Sequence, residues 1–397
     1  MTSRRIFLRG LASATAAGLV RRATGQNDNR KPSSSAPRFR PVKEFRGAFL
    51  HAVSADGSKM CVVLDSDGVE TWTYSGGQWS RESVGTFPRD APLCVVDLKS
   101  WKTVYSTKLE AAPFIVSFLR DSPELYVTGV FLEVGKAGNQ QVVIDLQAGS
   151  IKQEQIRDGL FQATRGQQLL TTKGELGKGG VLSVVELPDY REVAHADLEA
   201  PRGGRSGTDQ IVSSQGDVFV YGVDDLIVCR RTNDLSIQWT RQLGTESSRV
   251  WRMAISAHGD RVAAVAAAAP WPESPEAARR PLRLQPLYIA VYDGRSGKPM
   301  ARFPADVSFS EALALSPDGK LLAVGQSVPA GDKQNLDLFV DVYEIASSRR
   351  IARELHCRVP PGRFQNTAGF AAAEFTPDGR WLVTSGYDRT KVWEVLG

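Results

Sequence analysis

The 397-residue chain is poor in the side chains that most chemistry requires. Its four histidines, His51, His195, His258 and His356, do not pair with one another or with a cysteine at metal-ligand spacing. There is no Cys-x-x-Cys-His haem site and no phosphate-cradling glycine loop ahead of a helix. Asp65-Ser66-Asp67-Gly68 opens like a calcium loop, but Thr73 stands where the distal glutamate belongs. No catalytic residue, metal or cofactor is therefore expected from spacing. Long apolar runs are also missing, since the mild stretch from Gly10 to Val20 is too short to span a bilayer. Excess positive charge is confined to one end. The formal net charge is +5, and residues 1–25 hold Arg4, Arg5, Arg9, Arg21 and Arg22 with no acid, which leaves the remainder neutral. That excludes the clustered positive charge of a nucleic-acid partner.

What is present begins with a leader. Ser3-Arg4-Arg5-Ile6-Phe7-Leu8-Arg9 precedes the mild apolar stretch, and Ala23-Thr24-Gly25 offers small residues for cleavage. The pattern, carried by Arg4, Arg5, Phe7 and Leu8, is similar to the twin-arginine export signal. That resemblance implies a periplasmic or extracellular protein that meets the membrane only in transit. It is a receptor-read address rather than an anchor. Residues 26–41 are polar and rich in serine and proline, which predicts a solvated linker.

From residue 42 onward the chain repeats itself. A tight turn recurs at Ala55-Asp56-Gly57, Asp121-Ser122-Pro123, Arg165-Gly166, Gln215-Gly216, His258-Gly259, Pro317-Asp318-Gly319 and Pro377-Asp378-Gly379. Apolar runs flank nearly every one. A second marker follows in the same order, as in CVVDLKSWK from Cys94, VVIDLQAGS from Val142 and VDVYEIASS from Val340. Seven repeats of this kind predict an all-β chain, a single propeller of seven four-stranded blades over residues 42–397. The last unit stops after its third strand. The segment Phe39 to Phe45 is expected to supply the fourth and close the ring.

The last unit, AEFTPDGRWLVTSGYDRTKVWEV, resembles the WD-repeat propellers, with Ser385, Asp388 and Trp393 matching that family's strand serine, turn aspartate and tryptophan. The family's Gly-His ahead of the first strand is missing from every unit. The resemblance implies a degenerate, WD-like propeller, monomeric, that serves as a binding scaffold. Propellers of similar build also include lactonases and quinoprotein-dehydrogenase chains, so an enzyme or cofactor-bearing subunit working through the central channel is the alternative.

The connections between second and third strands are long in five units, and a propeller gathers them on one face with the blade-to-blade connections. Arg202 and Arg205 lie on one blade-to-blade connection. Trp271, Arg279, Arg280 and Arg283 lie on the longest loop. Tryptophan and arginine are over-represented at binding hot spots, so these six residues mark the candidate face for a protein or extracellular ligand. Cys61 and Cys94 fall on neighbouring strands of one blade. A disulfide between them and a pair of buried thiols are the two readings. Cys229 and Cys357 lie two blades apart and are not expected to meet.

Overall fold

A computed structural model describes residues 38–64, 70–75, 78–81, 93–110, 112–119, 122–130, 139–157, 160–163, 168–173, 180–198, 210–212, 217–223, 225–243, 248–268, 288–304, 310–329, 336–359, 370–387 and 389–396. The described residues form strands and turns, with no helix among them.

The chain enters on β1 (Arg38–Arg46), which belongs to the last blade. Blade one is β2 (Ala48–Val53), β3 (Lys59–Leu64), β6 (Leu93–Asp97) and β7 (Thr103–Thr107). The insertion between its second and third strands holds β4 (Glu70–Ser75) and β5 (Gln78–Arg81). Blade two is β8 (Ala112–Phe118), β9 (Glu124–Val130), β10 (Asn139–Asp145) and β11 (Ser150–Arg157). Blade three is β12 (Leu160–Ala163), β13 (Gln168–Lys173), β14 (Gly180–Glu186) and β15 (Arg191–Leu198). Blade four is β16 (Gln210–Val212), β17 (Val218–Val223), β18 (Leu226–Arg231) and β19 (Ile237–Gln242). Blade five is β20 (Ser248–Ile255), β21 (Arg261–Ala268), β22 (Tyr288–Asp293) and β23 (Pro299–Pro304). Blade six is β24 (Ser310–Leu315), β25 (Leu321–Pro329), β26 (Leu336–Glu344) and β27 (Arg349–Val359). Blade seven is β28 (Phe370–Phe375), β29 (Trp381–Gly386), β30 (Arg389–Leu396) and β1.

The core is divided into seven apolar clusters, one per junction between neighbouring blades. Cys61 and Val95 meet Val116 and Leu125 between blades one and two. Tyr126 meets Leu169 between two and three, and Val184 meets Phe219 between three and four. Trp239 meets Tyr292, Phe303 meets Tyr343, and Val340 meets Trp393 at the next three junctions. Val383 and Phe45 meet Met60 and Cys94 at the seventh, which returns to blade one. Seven junctions for seven blades make a closed ring. Alternation explains this arrangement: each strand sends successive side chains to opposite faces of its sheet, and both faces are covered by a neighbour.

The expected closure is present. β1 pairs antiparallel with β30 from Arg38↔Leu396 to Arg46↔Arg389. Phe45 is fully buried, which contributes about 2–3 kcal/mol. The strand begins at Arg38, so the sheet takes in residues 38–41 that composition assigns to the linker. The β4–β5 hairpin was expected as an open loop. It instead joins blade seven, with β4 pairing to β1 from Lys43↔Thr73 to Arg46↔Glu70. The closing strand is thereby hydrogen-bonded on both sides, in a sheet of six strands.

All seven predicted turns lie between the first and second strands of a blade. Four are wired alike. Ser316 N donates to Leu321 O at 2.9 Å, and Gly319 N donates to Ser316 O at 2.8 Å. The Ser316 hydroxyl donates to Asp318 at 2.6 Å and accepts from Leu321 N at 2.9 Å. Ser54 and Asp56 repeat this in blade one, and Thr376 and Asp378 in blade seven. Ser256 repeats the backbone part in blade five, where His258 replaces the aspartate. The glycine at the end of each has φ between +65° and +72°, a conformation only glycine adopts at no cost.

Candidate binding face

Antiparallel order sends the first-to-second and third-to-fourth connections of every blade to one end of the ring. The second-to-third and blade-to-blade connections go to the other. At the first end, several of the described turns occupy their own carboxylates. Burial works against ionisation of Asp56, but the Ser54 and Ser58 hydrogen bonds outweigh it and hold the carboxyl below its usual value. The same balance lowers Asp97, Asp293 and Asp318, through Ser100, Ser296 and Ser316 respectively. These carboxylates are committed to their own turns rather than left for a partner.

The opposite end carries the segments 199–209, which join β15 to β16, and 269–287, which join β21 to β22. Arg202, Arg205, Trp271, Arg279, Arg280 and Arg283 are on these segments and lie outside the described residues, as do Arg4, Arg5, Phe7 and Leu8. Towards that end the innermost strands are bulged. One extra residue interrupts the pairing at Phe114 in blade two, Trp251 in five, Glu311 in six and Ala371 in seven, all at one register. Bulges of this kind gather at barrel rims and beside active sites, where they re-aim a side chain. Sequence alternation did not expose them, because a one-residue insertion in a short strand resembles an ordinary apolar run.

Blade one is bulged too, at His51, nearer the tight-turn end. Burial pushes this imidazole down to about 4. On the neighbouring blade, Glu374 accepts a hydrogen bond from Val53 N at 3.1 Å. Burial pushes its carboxyl up to about 8, against the pull of that bond. By register, the innermost strands of blades one, two, five and six carry Ala52, Ser117, Ala254 and Ala314 at this position. A carboxyl among small residues is a departure from the repeat.

Blade seven holds a polar relay. Trp393 Nε1 donates to Thr384 Oγ1 at 2.8 Å, and His356 Nδ1 lies 3.2 Å from the same oxygen. The hydroxyl partner of Trp393 is thus Thr384, one position before Ser385. Register gives the reason. Trp393 pairs with Leu382, so Leu382 and Thr384 share its face while Ser385 points the other way. Ser385 instead accepts from Leu50 N at 3.1 Å and from Thr390 Oγ1 at 3.1 Å, at the junction with blade one. Asp388 lies outside the described residues. The histidine missing ahead of the first strand is matched by one on β27, the outermost strand of blade six. Beside the relay, Glu44 on β1 faces Arg46 at 2.6 Å, Arg389 at 3.0 Å and Lys391 at 3.3 Å.

All four cysteines are buried free thiols. The Cys61–Cys94 bridge is corrected by register: Cys61 is opposite Val95 and Cys94 is opposite Val62, so the two side chains leave opposite faces of the blade. Cys61 packs towards blade two and Cys94 towards blade seven. Among the described residues no group of three or more His, Cys, Asp or Glu is placed to hold a metal ion.

No curated protein matches the chain closely enough to count as a relative. Residues 365–394 match the family described as WD domain, G-beta repeat. That match covers the blade with the Trp393 relay, and with the closed ring of seven blades it makes this chain a WD-repeat-like propeller, a build that fits protein-binding scaffolds in general.

Proposed function

We propose that the chain is an exported, non-enzymatic propeller that binds a protein or extracellular ligand on the face carrying its long connections. The observation that carries this reading is the asymmetry of the ring. One end spends its carboxylates on its own turns, while the other receives 199–209, 269–287 and the bulged ends of four innermost strands. Export rests on the leader pattern alone. The six arginine and tryptophan residues named on the two long segments are the proposed contacts, in keeping with the energetics of hot spots.

The test uses chain beginning at residue 26, incubated with the soluble contents of its native export compartment and cross-linked. Cross-links to one recurrent partner should map to 199–209 and 269–287 and vanish when 269–287 is replaced by a short glycine-serine linker. Cross-links that map to the tight-turn end, or that survive the replacement, would remove this face from consideration.

One observation favours a second reading, a propeller enzyme working at the axis. Burial raises the Glu374 carboxyl towards neutral pH on an innermost strand, the direction a general acid requires. Turnover of any substrate by the purified chain, abolished by Glu374→Gln, would replace the scaffold reading with this one.

A further inference from the structure

We infer that His356 makes the junction between blades six and seven an acid-sensitive latch, which loosens the closing strands β30 and β1 when the histidine takes up a proton. His356 sits at a bulge on β27: Leu338 pairs with Cys357 and Phe339 with Leu355, so the histidine between them has no place in the ladder. The bulge turns it towards blade seven, where it is fully buried against Thr384. Thr384 Oγ1 accepts from Trp393 and lies 3.2 Å from His356 Nδ1, so the imidazole packs against the centre of the relay. A proton added to the ring would place a charge inside the closed junction, beside Lys391 and Arg389.

The charges around the histidine oppose the proton as well. From β30, Arg389 and Lys391 face it, and Lys391 Nζ also reaches Leu355 O at 3.5 Å. From β1, Glu44 is shared among Arg46, Arg389 and Lys391. On β27 itself, Arg353 is taken up by Asp341 and Arg358 by Asp337, while burial raises Glu354 and keeps it closer to neutral. Burial first, then Lys391 and Arg389, holds His356 well below its ordinary 6.5; the carbonyls of Gly386 and Arg389 pull more weakly the other way.

The sign follows from linkage. The closed junction excludes a proton that the open one accepts. Closure is therefore undisturbed above pH 6.5 and is lost progressively below it. At the limit where the closed junction takes up no proton, one group of ordinary value 6.5 raises the opening constant about 25-fold between pH 7 and pH 5.

The test is amide hydrogen exchange on the full chain at pH 7, 6 and 5, corrected for the intrinsic rate at each pH. In the native sequence, opening of β30 and β1 should rise by about that factor while β10 stays unchanged. In His356→Asn, which keeps a polar side chain that does not titrate, the rise should fall below about threefold. An Asn variant that opens as steeply as the native chain, or a rise shared by β10, would overturn the latch. If the variant does not fold, the native imidazole resonances decide. No titration above pH 5 upholds the inference, and a midpoint near 6.5 overturns it.

Discussion

Replacing Glu374 by glutamine measures what a carboxyl costs the ring at the junction of blades seven and one. Glutamine keeps the shape, and its oxygen can still accept from Val53 N. The native carboxyl has an ordinary value of 4.5 and is pushed up to about 8 by burial. The folded chain therefore holds this proton more tightly than the unfolded chain. The stability it contributes is complete below pH 4.5 and is lost as pH rises through 8. Each pH unit in that window costs about 1.4 kcal/mol, which sets a ceiling of about 4–5 kcal/mol at pH 8. Glu374 is partly exposed, so solvent relieves some of the penalty and we expect about 2 kcal/mol. Urea unfolding of both proteins at pH 5, 6, 7 and 8 provides the assay. The histidines are common to both, so their titration cancels in the difference. Glu374→Gln should be ahead by less than about 1 kcal/mol at pH 5 and by about 2 kcal/mol at pH 8. A difference that does not change with pH, or a glutamine variant that is weaker at pH 8, would refute the reasoning.

Two further outcomes are expected. Trp393→Phe keeps most of the buried ring but removes the donor to Thr384, so thermal unfolding should show a loss of about 1–2 kcal/mol, as for an acceptor left without its partner. Ser348→Gly should stabilise the chain by about 0.5–1 kcal/mol in the same assay, since Ser348 is exposed and holds φ +53° with no buried side chain to offset the strain.

The third-to-fourth turns show why that serine stands apart. Each of the six has one residue at positive φ: Trp101, Gly149, Tyr190, Leu235, Gly297 and Ser348. Tyr190 and Leu235 are buried in junction clusters, and Trp101 packs edge-on to Trp381 at 5.6 Å between ring centroids. Gly297 has no room for anything larger, because an added Cβ would come 2.7 Å from the Trp239 ring. Packing therefore offsets the strained backbone at three positions and forbids a side chain at a fourth.

The ring was legible because its signals are local. A serine or threonine, an aspartate and a glycine within four residues specify the turn by themselves, so Ser316-Pro317-Asp318-Gly319 and Thr376-Pro377-Asp378-Gly379 could be read without knowing what packs on them. The β4–β5 hairpin was not legible. Its pairing to β1 is a choice of partner that nothing in Glu70–Ser75 names. The relay was half legible. Trp393 carried the resemblance, but the choice between Thr384 and Ser385 depends on which residue pairs with Leu382, a one-residue matter that decides the face. His356 was hidden for a different reason: it is delivered by the neighbouring blade, from a bulge that periodicity does not reveal.

The clasp of β1 on β30 also fixes when the molecule can be finished. Arg38 pairs with Leu396, so β1 waits for β30 to be synthesised. Until then Phe45 has no completed junction to enter, and β1 can pair only with β4. Contacts of such sequence separation are slow to form, because the whole chain must close as a loop before they stabilise anything. Blades one to six can pair their own strands as they emerge, but the ring becomes a single body only once β30 has emerged.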